Sequence, residues 1–386
     1  MKFTVNTKAL CGLLLPIARG VAAKSINSGE TVAMTVDAQA GLLTVRCAIP
    51  AVDVVATIPV TGVESPLSYP VATPVGVLVD FLQQVDYEEV HISVEGETLR
   101  LHLDNADASA CFPVLEPMHP EPRTLEGELP AVRVDSSSFK EAVTAVLPAA
   151  AADALRPQFH SVHVEVRDGK AELVCTDSRL MLVERLPLGE GSAEMFVVNI
   201  PCEVAALIPK LDGEADEALC LEVTEDGAVG RIRTGVYTVV FPAVTQKFPD
   251  YTKLLGQESP IVATVSAAAM KLGLNIAGVS ENTSGAVTLD FVGGLLDTEV
   301  TVTCEQVIPD AVNKTTNKFA CQFEGAEQMT IVFPRRRMVE SLKAIDSQDL
   351  EIRMKSPRHP AYIVPAHPEE GDPERIAMLM PMAMTA

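Results

Sequence analysis

The sequence predicts an α+β protein made of three copies of one two-layer unit, each carrying two helices on an antiparallel sheet. Two observations lead there. A short strand, a polar cap and an apolar helix recur three times, and a second segment, strand then helix then hairpin, recurs in alternation with the first. The recurrences are spaced by roughly 130 residues, an ordinary domain length, so the units are expected at 1–128, 129–257 and 258–386.

The first half-unit opens with Phe3-Thr4-Val5, Val132-Arg133-Val134 and Val262-Ala263-Thr264-Val265. Polar residues follow each, at Asn6-Thr7, at Asp135 to Ser138 and at Ser266, and then come apolar helices over 8–21, 139–148 and 267–279. Asn6 or Thr7 and Ser266 are expected N-caps, and Ser138-Phe139-Lys140-Glu141 fits a capping box. Leu10, Phe139 and Met270 fall at matching places. The second half-unit spans 69–102, 196–233 and 329–364, with helices expected over 74–85, 201–211 and 334–345. After each helix an acidic turn leads into alternating strands: His91 to Val94 with Leu99 to Leu103, Leu219 to Val223 with Val229 to Arg233, and Leu350 to Met354 with Ala361 to Val364. Two-layer units of this kind leave sheet edges that need partners. Three in a row can join edge to edge into an arc, and two arcs with a self-complementary junction close as a ring.

Composition narrows the function. A chain of 386 residues, 47% hydrophobic, is long enough for several cores. No charged leader and no apolar run of bilayer length is evident, so a cytoplasmic location without membrane association is expected. Eight cysteines without a short pair argue against zinc and against a disulfide framework, and most are expected as small core residues. A net charge of −22 excludes indiscriminate coating of nucleic acid, since phosphate binding needs lysine and arginine; any DNA function then requires local positive charge. The absence of tryptophan weakens readings built on base stacking.

Five stretches carry a family resemblance: Met1-Lys2-Phe3-Thr4-Val5; Ala154-Leu155-Arg156-Pro157-Gln158-Phe159; Leu173-Val174-Cys175-Thr176-Asp177-Ser178-Arg179-Leu180; Phe248-Pro249-Asp250-Tyr251; and Leu379-Met380-Pro381-Met382. With them the chain resembles the bacterial DNA polymerase III beta sliding clamp family over essentially its whole length and in the same domain order. The resemblance implies the DNA clamp fold and a homodimeric ring around double-stranded DNA, read without regard to sequence. It further implies no catalytic activity, no cofactor, and a place with the nucleoid in the cytoplasm. A groove between the second and third domains would take short linear peptides from a DNA polymerase, the clamp loader and repair proteins. Phe159, Leu180, Met181, Pro249, Leu254, Met378, Met380 and Met382 would make a soft apolar slot, and methionine suits a surface that accepts many partners. Thr176, Arg179 and Lys253 would anchor a peptide backbone or acidic side chain, with Ser178 and Pro381 in the same stretches. The family usually has one more residue between aspartate and arginine than Asp177-Ser178-Arg179 shows, so either Arg179 or Leu180 takes the usual arginine place. That shortening, the tail Ala383 to Ala386 and the loop Pro365 to Arg375 mark a divergent member with an altered partner preference.

A closed ring needs only weak phosphate contacts. Lys24 matches a DNA-contacting position of the family, and Lys140, Lys210, Lys271 and Lys343 fall on other repeat helices. Arg335, Arg336 and Arg337 stand in the first turn of a helix, where cations oppose the macrodipole, which hints that something else holds them there. Contact with DNA is one reading; a solvated face with Glu340 pairing at helical spacing is the other. The dimer junction is expected between Ala108 to Phe112 and Leu274 to Val279. Rival functions are weaker. His160 and His163 with Asp168 lack metal-ligand geometry on a strand and are expected at the surface. No phosphate loop or nucleophile motif appears. A repeat scaffold that binds peptides without DNA, or a clamp paralogue with specialised partners, remains an alternative.

Overall fold

The opening strand of each repeat runs straight into its helix in the computed structural model, which describes residues 2–20, 31–49, 52–65, 71–103, 109–115, 125, 128–211, 218–281, 284–293, 298–308, 311–369 and 374–383. Lys2–Asn6 leads to Thr7–Gly20, Ala131–Asp135 to Ser136–Val146, and Ile261–Ser266 to Ala267–Ala277. The caps are polar side chains that accept the first free backbone N–H groups. Asn6 accepts from Ala9 at 2.9 Å and Ser266 from Ala269 at 3.5 Å, as expected. In the middle repeat the cap is Asp135, which accepts the Ser138 N–H at 2.7 Å and the Ser138 hydroxyl at 2.6 Å. The expected capping box is thereby displaced: Ser138 lies inside the helix and donates to the cap. Those two bonds, the hydroxyl first, hold the Asp135 carboxyl below its ordinary value, and a carboxylate there also suits the helix dipole.

The second helices are Val75–Gln83, Cys202–Ala205 and Arg335–Ala344. The middle one was expected to run on to Leu211. It stops after one turn and resumes as a 3-10 turn at Ile208–Lys210, because Pro209 has no N–H and its ring opposes a continuing α-helix. Pro16 inside Thr7–Gly20 poses the same problem and is answered differently. Its missing N–H leaves the Gly12 carbonyl without its helical donor, and the buried Tyr237 hydroxyl donates to Gly12 and Leu13 oxygens at 3.1 and 3.2 Å. All three expected hairpins form: Val90 pairs with Leu103, Cys220 with Arg233, and Leu350 with Pro365, each antiparallel.

The chain divides into two compact units, residues 1–141 with 188–245, and residues 142–187 with 246–386. In the first, one sheet runs Thr61–Ser65, Lys2–Asn6, Glu89–Glu95, Thr98–Leu103, Ser109–Pro113. Its other sheet is a continuous run of eight strands that joins the hairpins of two repeats, Tyr237 pairing with Ala56 and Val240 with Asp53. The second unit repeats the device: Leu180–Pro187 pairs antiparallel with Glu374–Leu379, from Leu180 opposite Leu379 to Arg185 opposite Glu374. A separate four-stranded sheet there runs Ala311–Ala320, Glu299–Ile308, Ala286–Val292, Gln328–Pro334. Edge-to-edge joining satisfies backbone groups that isolated two-layer units would leave open. Five of the eight cysteines are buried, while Cys111 is exposed. Among the described residues no helix is long and apolar enough to cross a membrane.

Candidate functional site

The turn between Lys170–Thr176 and Leu180–Pro187 is short and heavily bonded. Thr176 Oγ1 donates to the Leu180 carbonyl at 2.8 Å and accepts the Ser178 N–H at 3.0 Å. Asp177 Oδ1 accepts the N–H groups of Arg179 and Leu180, both at 2.9 Å. Closing the strands in so few residues forces Ser178 to φ +74°, a left-handed conformation that costs a residue with a Cβ about 1 kcal/mol. The turn separates the two candidates for the arginine place by exposure. Leu180 is fully buried in the following strand, whereas Arg179 is exposed at the turn.

Four expected groove residues are not accessible. Thr176, Leu180, Met181 and Met378 are 6%, 0%, 1% and 4% exposed. The Thr176 hydroxyl is occupied by the turn. Leu180 and Met181 lie on a strand flanked on both sides by neighbours and buried along its first five residues, so alternation exposes neither face. Met181 and Met378 instead belong to a core cluster with Val174, Val183, Phe248, Tyr251 and Tyr362, against which Leu255 packs. The other expected groove residues are accessible. Pro249 and Lys253 are exposed, and Leu254 sits in the short helix Thr252–Leu255, where its carbonyl accepts the Tyr362 hydroxyl. The chain end is stitched across: the Met380 N–H donates to the Arg179 carbonyl and the Met382 N–H to the Val332 carbonyl, both at 2.8 Å. Met380, Pro381 and Met382 are partly exposed, as is Phe159, whose ring lies 4.7 Å from the Arg156 guanidinium carbon.

Sequence reasoning missed what holds the Phe248 to Tyr251 motif in place. The Tyr251 hydroxyl donates to the carboxylates of Glu165 and Glu172, and Glu172 is fully buried. Arg167 bonds Glu165 at 2.6 Å, and Arg185 pairs with both Glu172 and Glu374. His163, expected at the surface, is 5% exposed and stacks on Phe248 with centroids 4.4 Å apart, because Phe248 covers that face of its strand. Burial acts to raise the Glu165 pKa, but hydrogen bonds from His163, Tyr251 and Arg167 outweigh it and bring the group down to about 2. Burial first, then both carboxylates, push the Tyr251 phenol far above its ordinary value, so it stays a donor.

The expected basic positions separate into two kinds. Lys210, Lys271 and Lys343 are exposed, Lys140 is half-buried, and Lys24 lies outside the described residues. The three arginines that open the helix Arg335–Ala344 are tied down. Arg335 pairs with Glu281 at 2.5 Å, Arg337 pairs with Asp177, and Arg336, largely exposed, pairs with Glu340 at 2.8 Å as helical spacing suggested. Carboxylates are thus what hold three cations in a first turn. Lys8 and Arg19, exposed on the first helix, are further cations that repeat matching alone did not single out.

No protein-family model matches the chain. Sequence likeness is low: the chain is 22% identical over 244 residues to the Beta sliding clamp of Halalkalibacterium halodurans, a match spanning 62% of each, and 20% identical over 318 residues to that of Caulobacter vibrioides, spanning 82% of the latter. Likeness in structure is complete in extent. The DNA polymerase III beta subunits of Pseudomonas aeruginosa and Thermotoga maritima match with a TM-score of 0.86 at 17% and 18% identity, covering 100% of both chains in each case. A P. aeruginosa sliding clamp bound to griselimycin matches at 0.87, with 17% identity and 100% coverage of both chains. The chain therefore has the fold of the DNA polymerase III beta subunits.

Proposed function

We propose that this chain is a DNA sliding clamp: two copies close into a ring around duplex DNA and hold a polymerase or repair enzyme there by a docking peptide, without catalysis or a cofactor of their own. One observation carries the proposal, the agreement with DNA polymerase III beta subunits over the full length of both chains. Its three domains are read as 1–128, 129–257 and 258–386, and its place as the cytoplasm, with the nucleoid.

Two open sheet edges support closure. Ser109–Pro113 ends one sheet and Ala311–Ala320, ten residues long and mostly exposed, ends another. Pairing one with the other in a two-fold dimer removes both edges. Leu272, Val279, Val307 and Val312 are 56%, 80%, 78% and 57% exposed beside that second edge, so they supply the apolar part of the junction, while Leu274 is buried. Ala108, at the start of the expected first-domain side, lies outside the described residues. Lys210, Lys271 and Lys343, all exposed, are read as giving phosphate contacts weak enough to slide. The docking surface is read as Phe159, Ser178, Arg179, Pro249, Lys253, Leu254, Met380, Pro381 and Met382 beside the buried cluster that holds Met181 and Met378. The griselimycin-bound relative supports a ligand-taking surface in this fold.

The test is loading at low salt onto nicked circular and linear duplex of one sequence, followed by gel filtration. A clamp elutes with the circles and not with the linear form. Equal retention on both, or sedimentation as a monomer at micromolar concentration, contradicts the proposal.

A further inference from the structure

The arginine triplet is poorly suited to a sliding contact. Arg335 and Arg337 are fixed by Glu281 and Asp177, so neither can follow a moving phosphate chain. The structure places them somewhere else of interest. A cavity of about 660 Å³ is lined by Arg156, Arg179, Arg336 and Arg337 with Asp153, Asp177 and Glu281. Each carboxylate is already engaged: Asp177 by Arg337 and two backbone N–H groups, Glu281 by Arg335, and Asp153 by the Leu155 N–H. With Arg335 and Glu340, the partners of Glu281 and Arg336, five guanidinium groups meet four carboxylates, in a chain whose net charge is −22. The helix that carries the triplet has no side-chain cap, so its first turn adds positive potential at the same wall.

The cavity is continuous with the docking surface. Arg179 lines it while its carbonyl holds the Met380 N–H, and Met382 is bonded to Val332, two residues before the lining Pro334. Arg156 lines it while covering the Phe159 ring. We infer that this cavity is an anion-accepting extension of the groove, which takes an aspartate or glutamate side chain of the partner peptide beside its apolar residues. The inference rests on the docking groove proposed above. Guanidinium forks match a carboxylate with two parallel hydrogen bonds, and arginine clusters are a recurring means of reading acidic motifs. Arg336 itself is largely exposed in its pair with Glu340, so it can swing to an incoming carboxylate. A duplex backbone fits less well, because its run of phosphates would meet Asp153 and Glu281 in the walls of a recess.

Two labelled synthetic peptides test this by fluorescence polarisation. They share a Leu-Leu-Phe core and differ only in flanking Asp-Asp or Asn-Asn. The acidic peptide is expected to bind on the order of tenfold more tightly, as one charge-assisted contact allows, and the preference should fade as salt rises. Arg336→Gln should bring the two affinities together while leaving the neutral peptide bound. Equal affinities for the unmodified protein overturn the inference and leave the groove standing. If neither peptide binds, the groove itself fails and the inference with it. If Arg336→Gln lowers retention on circular duplex but leaves the peptide ratio unchanged, the arginines serve DNA and the inference is wrong.

Discussion

Tyr251→Phe removes one hydroxyl from the buried network with Glu165 and Glu172 and changes almost nothing else. A phenol has one proton, so its contacts with Glu165 and Glu172 count as one shared bond. A hydrogen bond to a charged group contributes roughly 1.5–3 kcal/mol. Neither carboxylate is left bare, since Arg167 stays on Glu165 and Arg185 on Glu172, so the larger loss of a broken buried ion pair, about 3–5 kcal/mol, is not expected. The variant should therefore lose about 2 kcal/mol, read as a lower urea midpoint by far-ultraviolet circular dichroism. The pH dependence adds a sign. Glu165 is depressed from 4.5 to about 2, so its contribution is fully present above about 4.5 and fades as pH falls towards 2. Without the phenol the folded pKa rises, so the fading still begins near 4.5 but ends at a higher pH, and the gap between variant and parent narrows as acidification continues towards 2. A loss under about 0.5 kcal/mol, the range of an ordinary surface change, or a gap that does not narrow in acid, would refute this account of the motif.

Other perturbations probe separate parts of the account. Tyr237→Phe should cost about 1–3 kcal/mol, because the Gly12 carbonyl opposite Pro16 loses its donor; a Tm within a degree of the parent would contradict this. Deleting residues 380–386 removes the backbone bonds to Arg179 and Val332 together with Met380 and Met382. It should abolish binding of a polymerase-derived peptide while sedimentation still shows the dimer, and unchanged affinity would exclude the chain end from the groove. Replacing Lys210, Lys271 and Lys343 together by glutamate should weaken DNA retention and lower the slope of log affinity against log salt by up to about 3; an unchanged slope removes them from the DNA surface. Val312→Lys puts a charge on the exposed edge strand and should shift the sedimentation equilibrium towards monomer, and a dimer as tight as the parent's would place the junction elsewhere.

Much of the fold could be read from local signals. The three hairpins follow from alternation, and Asn6 and Ser266 announce their helices because a cap lies within three residues of the N–H that it accepts. Pro209 carries the break in the middle helix in plain view, yet a proline is tolerated at Pro16, where a tyrosine from a distant strand completes the carbonyl. The site was legible only in outline. Thr176 and Arg179 stand out as polar residues in motif stretches, but nothing local reveals that Met181 and Met378 are buried in one core cluster, since both faces of their strands are covered by elements remote in sequence. The Glu165–Tyr251–Glu172 network and the partners of Arg335 and Arg337 were hidden for the same reason. Three arginines in a helix's first turn hinted that something else holds them there, with DNA contact or Glu340 pairing as the readings; Glu281 and Asp177, remote in sequence, hold two of them.

The most direct measurement follows protein loaded on nicked circles after a single restriction cut, with and without a tightly bound protein block at each new end. A ring that holds DNA by enclosure leaves within minutes of the cut and stays when both ends are blocked. Protein that remains on open linear DNA, or that leaves despite the blocks, is held by surface contact alone and does not enclose the duplex.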